Sequence, residues 1–297
     1  MDAKGEKLKV EGMEDFRSRH WVLEAFRRLS KNRGALVAGC VLLIYVFLTI
    51  FGPLIVPHDP VDINPSRRFE RPTWEHPFGT DNMGRCIFSR VIAGTRISFM
   101  MGFIAVAIAL FVGGGLGLVA GYYGKRVDDV IMRFVDVMMA FPSFLLAVTI
   151  VAALGPGIYN AMIAVGVASI AVFVRITRST VLSFREQEFV EAARAGGSND
   201  ARIMLRHILP NVTGPVIVFA TLRLSTAILA AAGLSFLGLG AQPPTPEWGA
   251  MVSAGRQYLI SHPHLVFFPS VLIFVMVLAF NFLGDGLRDA LDPRQTD

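Results

Sequence analysis

With 297 residues, 53% hydrophobic side chains, 23 Phe and a mean hydropathy of +0.54, this chain is too apolar for an ordinary water-soluble domain. Charged residues make up 17%, against roughly 25% in soluble domains. The composition therefore points to an all-α, polytopic membrane protein. The net charge of +5 calls for no nucleic-acid partner, because the basic residues gather in the loops that flank apolar runs.

Residues 1–33 form a charged, mixed N-terminal segment. Within it, Phe16–Lys31 sets Trp21, Leu23, Phe26 and Leu29 among Arg17, Arg19, Arg27, Arg28 and Lys31. That mixture suits a basic amphipathic helix resting on membrane lipid, or a cluster that only sets topology. The first apolar run, residues 34–56, is too long for a signal h-region of about 7–15 residues, so a retained span is expected. Further runs of the roughly 20 residues that a crossing helix needs are Ile97–Tyr122, Met132–Leu154, Ile158–Arg175, Val212–Leu237 and Leu265–Leu287. Six transmembrane helices are expected, and the polar segment 289–297 follows them as a tail.

Lys and Arg counts set the orientation. With the N-terminus inside, nine precede the first span, six lie between Arg175 and Arg206, and Lys125, Arg126, Arg133, Arg288 and Arg294 share that side. The outer segments hold Arg67, Arg68, Arg71, Arg85, Arg90, Arg96 and Arg256, most of them in the long loop 57–96. Both termini are accordingly expected in the cytoplasm of a cell whose inner membrane holds the chain.

After the first run, Pro53 near its end and Pro57, Pro60, Pro65 and Pro72 in loop 57–96 argue against regular structure across the loop, while Gly79, Asp81 and Gly84 read as turn and cap chemistry before a helix. His76 and Asp81 lack further ligands at metal-binding spacing, and Cys40 and Cys86 are badly placed for a disulfide, so no metal site is expected. Gly113–Gly115 and Gly117 form a small-residue patch that permits close helix approach. Without GxxxxGK[ST] the chain has no nucleotide site of the Walker type. Arg133 and Asp136 stand three apart on one helical face and are expected to pair. Arg223 falls midway along the fifth span, either in a salt bridge or facing a substrate carboxylate. The outer segment Gln242–Gly249, with Pro243, Pro244, Pro246 and Trp248, reads as a rigid loop tipped by an aromatic or as an interfacial Trp anchor.

Between the fourth and fifth runs lies the polar stretch EFVEAARAGGSNDARIMLRHILP, Glu188–Pro210. Glu191 to Ala195 can form a short helix, Gly197 suits a positive-φ C-terminus, and Leu209–Pro210 suit the start of the next span. Glu191, Ala192, Ala193, Arg194, Gly197, Leu209 and Pro210 at this spacing resemble the EAA loop of ABC importer permeases. His76–Arg85, Gly121–Ala147 and Leu234–Arg256 extend the resemblance to the permeases of dipeptide and oligopeptide ABC importers. Cys86 departs from it, standing where the family's GRD triplet carries an acid, and Ala231 stands where many members carry Glu.

The resemblance implies a type I ABC importer permease fold, with a core over residues 97–288 and the EAA loop at 185–210. It also implies a second permease subunit, two ATP-binding subunits and an extracytoplasmic substrate-binding protein. The expected function is import of di- or oligopeptides, with nickel chelates, glutathione or another small solute as alternatives. No catalytic residue and no cofactor is expected in this chain, and ATP hydrolysis belongs to the partners. An ion-coupled secondary transporter would show acidic groups near the midplane; an intramembrane enzyme would place His or Cys constellations within spans, and the six His fall at edges or in loops.

Overall fold

Inside a bilayer every backbone N–H and C=O must be satisfied within its own segment, so long apolar runs become helices. The computed structural model describes residues 29–291, and the expected amphipathic helix Phe16–Lys31 and the expected tail 289–297 fall largely outside them. Helix α1 is Arg33–Ile55, capped by Asn32, whose Oδ1 accepts from the Ala35 N–H at 3.1 Å. Helix α2 is Ile87–Tyr123, with a π turn at Ala109–Gly113. Next come α3 (Lys125–Met139), α4 (Ser143–Leu154), α5 (Ile158–Arg185), α6 (Glu188–Ala195) and α7 (Asp200–Phe236). The last two are α8 (Trp248–Gly255) and α9 (His264–Leu291).

Among the described residues, five helices are long and apolar enough to cross a membrane: α1, α2, α5, α7 and α9. The third expected span is broken. Helices α3 and α4 meet at 88° and make a sixth crossing only as a bent pair. The break falls at Phe141–Pro142, where proline disfavours helical geometry in the residue before it and Pro142 itself has an extended ψ of 127°. Asp136 of α3 pairs with Arg175 of α5 at 2.7 Å, rather than with Arg133 as its spacing suggested, and Asp128 binds Arg178. Cross-helix partners win because α3 turns its carboxylates toward α5 and leaves Val130, Phe134 and Val137 exposed.

Two helices extend beyond the apolar runs that marked them. Helix α2 begins at Ile87, ten residues before Ile97, because Ile87, Val91 and Ile92 are buried against protein. Helix α5 starts at Ile158 as expected but runs on to Arg185, beyond the apolar run that ended at Arg175.

The glycine patch does what its composition implies. Gly113, Gly117 and Gly121, four apart, bring α2 against α5, where a Cβ on Gly117 would stand 2.7 Å from the Val174 carbonyl. Gly117→Val should therefore destabilise the packed pair by about 1–3 kcal/mol, as overpacking does. Thermal unfolding of the purified chain in detergent checks this; Gly115→Val, with nothing within 4 Å of its added Cβ, serves as the neutral control.

The two ends of the bundle differ in character. At one end the loop after α1 packs on the loops around α8: Phe69 stacks on His262 with centroids 4.4 Å apart, and Arg90 donates to the Pro60 carbonyl at 2.8 Å. Gly79 and Gly84 take φ of 77° and 79° there, the turn geometry expected of them. Asp81 accepts from the Met83 and Arg85 N–H groups and binds the Arg85 guanidinium at 2.7 Å. Trp248 is neither a loop tip nor an interfacial anchor. It is fully buried, donates from Nε1 to the Val91 carbonyl at 2.9 Å and meets the Tyr45 ring edge-on. Glu247 beside it is 1% exposed and accepts from the Gly249 and Ala250 N–H groups and the Ser98 hydroxyl. Burial pushes its carboxyl pKa up, and those donors pull it partly back. The opposite end carries α6.

Candidate coupling site

Helix α6 is a short polar helix held by one apolar anchor. Val190 is its buried residue, packed with Leu118 and Tyr122 of α2, Val181 of α5 and Ile203 and Ile208 of α7. Glu191, Ala192 and Arg194 are exposed, and Ala193 is half-buried. Glu188 and Glu191 sit in the first turn and Arg194 in the last, the charge order that the helix dipole favours. The result is a helix fastened on one side, with a small-residue, charged face turned away from the bundle.

The turn after α6 is set by Gly197, whose φ of 77° places it in the left-handed region. Ser198 N–H bonds to the Ala193 carbonyl at 3.1 Å and Gly197 N–H to the Arg194 carbonyl at 3.0 Å, which together make a Schellman C-cap. Two residues later Asn199 caps α7, its Oδ1 accepting from Arg202 N–H at 2.9 Å. The Tyr122 hydroxyl then donates to Asp200 Oδ1 at 2.7 Å, tying the start of α7 to the end of α2.

Leu209 and Pro210 open the regular α-helical part of the fifth span, with Pro210 in its first turn as expected, but they are not the first helical residues. Helix α7 is already under way at Asp200 and passes through a π turn at Ile203–Ile208 before reaching them. The widened turn absorbs the missing N–H and the ring of Pro210 without ending the helix. The turn at Gly196–Asn199, with Gly197 at positive φ, thus joins α6 to a rod that crosses the bundle.

Of the residues singled out in the sequence, the structure brings Glu191, Ala192, Ala193, Arg194 and Gly197 onto this one surface unit, with half-buried Leu209 and exposed Pro210 two turns along α7. Arg223 is remote from them, half-buried in mid-α7. Its guanidinium lies 5.0 Å from the centroid of the Phe219 ring, and no ion pair to it forms among the described residues. Val190, Tyr122 and Asp200 were not singled out. Val190 was legible as an apolar residue within a polar helix, whereas the Tyr122–Asp200 bond spans 78 positions and has no local signal.

Residues 113–297 match the family model described as the binding-protein-dependent transport system inner membrane component. The chain belongs to that family. Residues 21–72 also match the N-terminal TM domain of oligopeptide transport permease C. Among curated relatives of this transport-system component, the dipeptide transport system permease protein DppC of Alkalihalophilus pseudofirmus is 51% identical over 271 residues, covering 91% of this chain and 89% of the relative. The glutathione transport system permease protein GsiD of Escherichia coli O157:H7 is 47% identical over 272 residues, covering 91% and 90%. The fold is similar to that in an inward-facing structure of the MetNI methionine ABC transporter, with a TM-score of 0.56 and 19% identity over 68% of this chain and 97% of that one. This inner membrane component is therefore a multi-pass permease subunit of the ABC importer type, as the EAA resemblance implied.

Proposed function

We propose that this permease imports di- or oligopeptides, and that α6 is the helix through which separate ATP-binding subunits drive it. The supporting observation is mechanical: an exposed short helix, the turn at Gly196–Asn199 and a continuous crossing helix form a single train. A second permease subunit, two ATPase subunits at the α6 end and a binding protein at the α8 end complete the transporter. Both termini then lie in the cytoplasm, in keeping with the Lys and Arg distribution. Shifting such a transporter from 1:99 to 99:1 between its access states needs about 5.5 kcal/mol of differential binding, which closure of the ATPase pair on α6 supplies.

The peptide reading is favoured over other solutes by the 51% identity to a dipeptide permease. Glutathione, itself a small peptide, is the second reading, supported by the 47% identity to GsiD. Uptake of labelled dipeptide, challenged with tripeptides, longer peptides and glutathione, separates the two. Loss of uptake on ATP depletion with the ion gradient intact is the expected control, and the reverse pattern would sink the reading.

Arg223, with no ion-pair partner among the described residues, is suited to meet a peptide carboxylate. Losing a charge-assisted hydrogen bond costs about 1.5–3 kcal/mol. Arg223→Ala should therefore raise the half-saturating peptide concentration by roughly 10-fold or more, with subunit assembly unchanged. Loss of assembly at unchanged half-saturation would instead place Arg223 in a salt bridge to the second permease.

A further inference from the structure

The loop between α1 and α2 brings together His58, just after α1, His76 in its middle, and Cys86 at the N-cap of α2. One ligand atom from each lies within 4.8 Å of the other two. His76 and Cys86 are 5% and 3% exposed, and the two imidazoles stand with centroids 4.5 Å apart. From the sequence, His76 has Asp81 nearby and no metal site is expected, and Asp81 is indeed committed to Arg85, Arg90 and two backbone N–H groups.

Hydrogen bonds define what each donor atom can do. A carbonyl only accepts, so His58 Nε2, 3.0 Å from the Glu75 carbonyl, carries the proton and leaves Nδ1 with a free lone pair. This N–H to carbonyl bond is the outer-shell arrangement that orients metal-bound imidazoles. His76 Nδ1 is buried without a hydrogen-bond partner among the described residues, a costly state for a polar atom. Its Nε2 faces Arg67 Nη1 at 2.9 Å, and a guanidinium only donates, so the metal-free ring keeps its proton on the orphaned Nδ1. A cation at Nδ1 moves the proton to Nε2, and Arg67, which only donates, then turns away from that nitrogen and keeps Glu70 and Glu75 as partners. Cys86 makes no side-chain capping bond to α2, so its sulfur is not committed there.

We propose that His58, His76 and Cys86 form a binding site for a divalent transition metal. Zn²⁺ fits two nitrogens and one thiolate, with the fourth tetrahedral position open to water. Zinc–ligand lengths of about 2.0–2.3 Å put ligand atoms roughly 3.3–3.8 Å apart, so small side-chain rotations close the set. The ion would clip the two ends of the proline-rich loop together, fastening the segment after α1 to the first turn of α2.

The test uses the purified transporter complex, stripped with chelator and titrated with Co²⁺ as a spectroscopic probe. An equimolar uptake of Co²⁺ by this chain is expected, with a thiolate-to-metal charge-transfer band that Zn²⁺ removes. Cys86→Asp, which puts back the acid of the GRD triplet, should abolish the band while transport and assembly persist. The parent-minus-variant difference also cancels thiols of other subunits. His76→Ala should weaken Co²⁺ binding by more than the about 100-fold that loss of an outer-shell partner can cost, and Cys40→Ser should change nothing. The proposal is overturned if the parent shows no band, if the band survives Cys86→Asp, or if it disappears with Cys40→Ser. It is equally overturned if folded His58→Ala and His76→Ala complexes both bind as the parent does; if neither assembles, the Cys86→Asp comparison decides.

Discussion

Gly197→Val is expected to abolish uptake while the chain still inserts in the membrane. The reason is backbone geometry, not packing: φ is 77° at this position and nothing lies within 4 Å of an added Cβ. Left-handed geometry costs an L-residue about 1–2 kcal/mol, and a β-branched side chain fits it worst. The chain relieves that strain by leaving the Schellman cap, and α6 then changes its angle to α7. Gly197→Asn, which tolerates the left-handed region, should keep most uptake and so separates conformation from side-chain size. Glu191→Lys tests the surface instead. Glu191 is exposed, so its reversal leaves the fold intact while changing the face offered to the ATPase. Uptake, membrane abundance and co-purification of the ATPase subunits are measured together. Normal uptake in both Gly197→Val and Glu191→Lys would remove α6 from the coupling role.

Trp248→Ala should cause the largest loss of stability, about 3–5 kcal/mol by analogy with other buried aromatic truncations. The indole is fully buried, and its loss also strands the Val91 carbonyl, to which Nε1 donates. Trp248→Phe retains most of the buried area but not the bond, so it should cost about 1 kcal/mol plus the residual cavity. Glu247→Ala, next in the chain, frees two N–H groups at the start of α8 and the Ser98 hydroxyl, for a loss of about 2–3 kcal/mol. Thermal unfolding in detergent ranks the three. Were Trp248 a docking residue for a binding protein, Trp248→Ala would leave the melting temperature alone and weaken only the docking.

Both predictions mark where sequence reasoning reached and where it stopped. The positive φ of Gly197 was legible because a Schellman cap is local: helix, glycine and following polar residues lie within a few positions of one another. The same holds for Gly79 and Gly84, and for the Gly113–Gly117 patch, whose small side chains imply close approach whatever helix approaches. Trp248 was misread because its burial depends on Val91 and Tyr45, the former 157 positions away. A proline-rich stretch looks like an exposed rigid loop until the helix that covers it is known.

By itself the sequence marks this chain as a helical membrane protein, shows roughly where its spans lie, and places a short polar helix over Glu191–Ala195 closed by Gly197. Those properties follow from run length, local capping and the need to satisfy backbone groups within a segment in lipid. Only the tertiary structure decided that the third apolar run breaks at Pro142, that Asp136 turns to Arg175 across 39 positions, and that α7 is a single rod from Asp200. It alone gathered His58, His76 and Cys86 into one cluster. Each of these depends on which helix faces which, a choice made by packing between segments distant in sequence, and no periodicity within one segment encodes it.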